Sequence, residues 1–77
     1  MTCEVICQAC QHAMNSIKAG ELGEARRHMW KAKEEGSTCD NPRLNRTVEM
    51  VIEALEFKDG GVAAGLILKE ILTTMCN

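Results

Sequence analysis

The stretch from Asn41 to Lys58, NPRLNRTVEMVIEALEFK, decides the fold class. Asn41 is a capping residue, and Pro42 falls at a first helical position, where a missing N–H costs nothing and a fixed φ suits the helix. Behind this start, Leu44, Val48, Val51, Ile52 and Leu55 recur at intervals of three and four, which gathers them on one helical face. Met50, Ala54 and Phe57 form a second apolar strip on a different side. Alternation with a period of two, which a half-buried strand needs, is not sustained here or elsewhere in the chain. The segment therefore predicts a helix from Pro42 to Lys58.

The same grammar extends both ways along the chain. Gly20 and Gly23 make a first break, Gly36 to Pro42 a second, and Asp59-Gly60-Gly61 a third. Four helices result. The first, about Thr2 to Ala19, carries Cys3, Ile6, Cys7, Cys10, Ala13, Met14 and Ile17 on one stripe. The second, about Glu21 to Glu35, has a thinner stripe of Leu22, Ala25, Met29 and Ala32. The fourth, about Gly61 to Cys76, presents Ala64, Ile67, Leu68, Ile71, Leu72 and Met75, with Val62 and Leu66 elsewhere on its surface. The expected fold is all-α, a compact four-helix bundle or two antiparallel helical hairpins.

The last two helices are apolar over more than one face, and a small monomer has little interior to offer them. Either a second subunit or another partner covers Met50, Phe57, Val62 and Leu66, or helix four sits centrally beneath the other three.

Totals narrow the class further. A chain of 77 residues is expected to form one helical domain over 1–77, since it cannot divide its apolar residues between two cores. Trp30 and Phe57 are the only aromatic residues, which argues against a β-sandwich and against a sheet that stacks RNA bases. The net charge of −2 lacks the basic excess expected of a nucleic-acid binder. No stretch approaches the roughly 18 apolar residues of a membrane span, so no membrane partner is expected. Met1 to Cys10 shows no basic start and apolar run, which leads to an expectation of cytoplasmic localisation. In that compartment, cysteines are more often thiols or ligands than disulfides.

Cys3-x-x-x-Cys7-x-x-Cys10 is the most specific motif. At about 100° per residue its three thiols cluster on one helical stripe, with His12 on the opposite face. In an up-down-up-down bundle the N-terminus, the second break and the C-terminus share a pole. Cys3, Cys7, Cys39 and Cys76 would gather there, with Cys10 a turn deeper. Such a set could be free packing thiols, a soft-metal site for zinc or cuprous copper, or disulfides. All three readings stay open on spacing alone.

Three resemblances bear on this motif and its setting. The spelling CxxxCxxC resembles the iron–sulfur motif of radical S-adenosylmethionine enzymes, but those need a large barrel that 77 residues cannot build. Size, helical content and Cys7-x-x-Cys10 resemble a saposin-like disulfide domain. That family implies paired cysteines in the middle and at the end, where this chain has Cys39 and Cys76 singly. The elbows Ile17–Gly20 and Leu55–Lys58, each followed by small residues, resemble a tetratricopeptide hairpin in outline. Their separation exceeds that family's repeat of about 34 residues, so the likeness is one of helical-hairpin grammar.

Helix two presents Arg26, Arg27, Trp30, Lys31 and Lys33 as a basic side with one ring, a candidate anionic-ligand surface with Arg26 set near Trp30. A solvated charged face is the simpler reading, and Glu24, Glu34 and Glu35 dilute its field. There is no phosphate-binding glycine loop, nucleophile elbow or HExxH pair. Glu49 and Glu53 could share a face but lack a partner histidine. The expectation is a small non-catalytic protein-interaction module, a dimeric adaptor, inhibitor or regulator, with no cofactor. The alternative is a zinc or cuprous-copper protein using Cys3, Cys7, Cys10, Cys39 and Cys76.

Overall fold

Asn41 caps its helix as its side chain implies, with Oδ1 accepting from the Leu44 N–H at 3.1 Å while Pro42 opens the first turn. The computed structural model describes residues 3–36, 39–57 and 60–76. Four helices occupy them: α1 (Cys3–Lys18), α2 (Leu22–Glu35), α3 (Pro42–Leu55) and α4 (Gly60–Glu70). A π-helical segment, Ile71–Met75, continues α4. The helices form an all-α four-helix bundle in which α1 packs on α2, α2 on α3, α3 on α4, and α4 back on α1.

The stripes meet in one core. Ile6, Met29, Leu44, Val48, Val51, Leu68 and Ile71 are fully buried or nearly so. Every residue of the main α3 stripe lies inside, as its period requires. Ala25, Met29 and Ala32 do the same for α2, where Ala25 and Ala32 are small enough to bring neighbouring helices close. In α1 the buried set is Ile6, Ala9, Cys10 and Ala13, with Cys3, Met14 and Ile17 part-buried against it.

Helix ends account for most departures from the expected spans. The α1–α2 elbow closes on Gly20, whose φ of 79° is the left-handed conformation that glycine adopts without strain. Gly20 N–H donates to Ile17 O at 3.0 Å and Glu21 N–H to Ser16 O at 2.8 Å, the two reversed bonds of a Schellman ending. Gly23, expected in this break, is instead helical within α2. Helix α3 stops at Leu55, short of the expected Lys58, because the Glu56 and Phe57 N–H groups turn back to Glu53 O and Ala54 O. Lys58 and Asp59 lie outside the described residues, as do Ser37 and Thr38. Gly60 and Gly61, expected as a break, instead form the first turn of α4. Gly61 has a packing reason to be small, since a Cβ there would stand 3.0 Å from Leu22 Cδ2.

Helix α4 is not the central helix of the bundle. It buries Ala64 and Leu68 while leaving Val62 and Leu66 71% and 67% exposed, and Ile71 of the π-helical continuation is also buried. No helix among the described residues is long and apolar enough to cross a membrane.

Candidate functional site: a cysteine pole and an exposed apolar face

The bundle brings the cysteines together at one pole, but as pairs. Cys3 at the start of α1 is bonded to Cys39 before α3, across a Cα–Cα distance of 4.9 Å. Cys7, one turn along, is bonded to Cys76 after the π-helical segment, at 5.7 Å. Cys39 is held for this by its own N–H, which donates to Gly36 O at 3.1 Å. The wide π turn, closed by Cys76 N–H donating to Ile71 O at 3.0 Å, carries Cys76 to α1. Thr73 and Thr74 donate their hydroxyls to Lys69 O and Glu70 O at 3.0 and 2.6 Å, which competes with the regular ladder where it widens.

Free thiols or ligands were the expected forms in a reducing compartment, and the pairing differs from that expectation. A disulfide sulfur is not a thiolate and does not ligate zinc or cuprous copper as one. Cys10 alone keeps its thiol, and it is fully buried. Desolvation by burial pushes that thiol up from 9.0 to about 12. It is the neutral packing group the stripe implied, set one turn beneath the Cys7–Cys76 bond. Among the described residues no group of three or more His, Cys, Asp or Glu side chains could hold a metal ion.

The basic side of α2 does not converge on a ligand. Arg26 reaches across to α3 and donates from Nη2 to Leu55 O at 3.1 Å, capping that helix's last turn. Arg27 pairs with Glu24 at 3.0 Å on the surface. The cation over Trp30 is Lys33, with Nζ 4.8 Å from the ring centroid, where Arg26 was expected. Lys31 belongs to a different place, a cleft between α1 and α2.

That cleft holds a pairing that sequence reasoning missed. His12 stacks on His28, with ring centroids 5.3 Å apart. The two lie eight residues either side of Gly20, so an antiparallel hairpin turning there sets them opposite each other. Ala9 and Lys31, eleven residues either side, line the same cleft. Equal distance from the elbow was the available signal.

The residues expected at a protein interface are on the surface. Met50 is 49% exposed, Phe57 68%, and Val62 and Leu66 exceed both or nearly so at 71% and 67%. Val5 and Trp30 are the other large exposed apolar side chains among the described residues. Val62 and Leu66 edge an open, mainly apolar groove of about 510 Å³, whose floor includes Met14, Ile17 and Leu22. Met50 lines a separate depression of about 210 Å³ between α3 and α4, beside Ile67 and Met75. The chain is therefore a small four-helix bundle stapled by two disulfides at one pole, with exposed apolar side chains on α4. Comparison with family models, curated proteins and solved structures finds no match to the chain.

Proposed function

We propose that the protein is a non-catalytic helical interaction module that works by binding protein through the exposed apolar face of α3 and α4. Val62 and Leu66 standing clear of the bundle beside an apolar groove is the observation that carries the reading. Large apolar side chains rimming a groove mark interaction sites more often than free surface. The partner we favour is a second copy, because the Val62–Leu66 ridge and the groove beside it lie side by side on one surface. A two-fold axis between copies would set each ridge into the other's groove. Adaptor, inhibitor and regulator are the roles such a module serves.

Sedimentation velocity across protein concentration tests this. A dimer that Leu66→Glu dissociates, without loss of helix content, is the expected result. A wild-type chain that stays monomeric at millimolar concentration would sink self-association through this face.

The gathered cysteines favour a second reading in the reduced protein. Reduction would leave Cys3, Cys7, Cys39 and Cys76 as thiols at one pole, with Cys10 beneath them, a donor set suited to zinc or cuprous copper. Native mass spectrometry of reduced protein incubated with either ion decides it: chelator-sensitive mass increments support the site, and bare mass removes it. Two disulfides also weigh against the cytoplasmic expectation and favour an oxidising compartment.

A further inference from the structure

The cleft between α1 and α2, about 240 Å³, is independent of the apolar face. Val5, Gln8, Ala9 and His12 wall it from α1, and His28 and Lys31 from α2. The two imidazoles stack at 5.3 Å with their planes inclined by 26°. Every polar side chain of the lining carries N–H donors, and none is a carboxylate. On α1 the nearest acidic group is Glu4, one turn before Gln8. On α2, Glu24 lies one turn before His28 and is bonded to Arg27 at 3.0 Å, while Glu34 and Glu35 lie three and four residues after Lys31. No other helix contributes to the lining.

We propose that this cleft binds a tetrahedral oxyanion of the phosphate or sulfate class through Gln8, His12, His28 and Lys31, more tightly when the imidazoles are protonated. Two imidazolium rings this close repel each other, and an anion shared with Lys31 offsets that repulsion. Hydrogen bonds from charged donors to anionic oxygens are the stronger kind. Histidine is the side chain that gains its charge between pH 8 and 5. Val5 and Ala9 supply the apolar part of the cleft wall. A neutral imidazole pair also suits a transition metal, but Lys31 beside it disfavours a cation.

Sulfate is the probe, because its charge is constant over the range, titrated at fixed ionic strength and followed by nitrogen–proton NMR. Saturable shifts confined to Gln8, His12, His28 and Lys31 are expected, on the order of tenfold tighter at about pH 5.8 than at about pH 7.8. These effects should vanish in His28→Gln and in His12→Gln, the latter at an exposed position, and persist in Arg27→Gln outside the cleft. Cosedimentation with phosphatidic acid vesicles then separates the sources: uptake that His28→Gln abolishes assigns a lipid headgroup, and no uptake assigns a free ion. Non-saturating shifts that chloride reproduces, or wild-type binding retained in both histidine variants, would overturn the proposal. So would saturable shifts obtained with zinc but not sulfate.

Discussion

The side-chain amide of Asn45 on α3 donates to the carbonyl oxygen of Gly36, at the end of α2, over 3.1 Å. The same amide lies 3.5 Å from Cys39 O, so one residue ties together the helix end and the strand of chain that carries a disulfide. Gly36 needs no special backbone for this, having φ −61° and ψ −25°. It needs the space, because a Cβ there would stand 2.8 Å from Asn45 Oδ1. Gly36→Ala is expected to turn Asn45 away and cost about 1 kcal/mol, the worth of one such hydrogen bond. Asn45→Ala should cost a similar amount, and the double variant less than the two together, since both act on one contact. Urea unfolding of the four proteins checks this. Strict additivity would mean that the contact carries no energy.

Each disulfide closes a long loop, with a sequence separation of 36 for Cys3–Cys39 and 69 for Cys7–Cys76. Constraining the unfolded chain in this way stabilises the fold by about 4 kcal/mol per bond in the chain-entropy model, slightly more for the longer loop. The pair Cys7→Ala with Cys76→Ala should therefore lower stability at least as much as Cys3→Ala with Cys39→Ala. Denaturant midpoints under oxidising conditions give the comparison. Reduced wild-type protein, having lost both bonds, should fall below either oxidised variant, and an unchanged midpoint on reduction would exclude the pairing.

Burial holds Cys10 as a thiol, with its ionisation pushed up from 9.0 to about 12 by desolvation. The unfolded chain gives up this proton near the lower value and the folded chain near the higher. The stabilisation is therefore fully present below the unfolded value and is lost as pH rises toward the folded one. Its full extent is on the order of 4 kcal/mol. Between about pH 9 and 11, wild type should lose stability more steeply than Cys10→Ala. Iodoacetamide should label Cys10 only after unfolding. Rapid labelling of native protein at neutral pH would contradict the buried placement.

Leu66 and Leu68 are two residues apart on α4, yet one is 67% exposed and the other fully buried. Leu68→Ala should destabilise by about 2–5 kcal/mol through lost contacts and a cavity. Leu66→Ala should change the stability of an isolated subunit by less than about 0.5 kcal/mol. Thermal unfolding at low protein concentration separates them. At high concentration, Leu66→Ala should gain a cost of its own if the exposed face is covered by a second copy.

Much of the architecture was legible without coordinates. The three- and four-residue spacing of Leu44, Val48, Val51, Ile52 and Leu55 specified α3, and the same rule specified the stripes of α1 and α2. It also marked Met50, Phe57, Val62 and Leu66 as surplus to one buried face, and all four are exposed. The shared pole of Cys3, Cys7, Cys39 and Cys76 followed from helix count and direction. Other features depend on distances between segments far apart in the chain. Arg26 bonds Leu55 O rather than approaching Trp30, because an unsatisfied helix-end carbonyl lies within its reach across the α2–α3 interface.

Local spacing determines which face a helix buries, since side-chain direction repeats with the backbone period. The amino-acid order by itself thus determined four helices and their inward stripes. Which sulfur bonds which, the π turn that brings Cys76 to Cys7, and the meeting of His12 with His28 were decided by tertiary structure. Those relationships turn on register and rotation between packed helices. Register is set by the whole core at once, and no single stretch of chain encodes it.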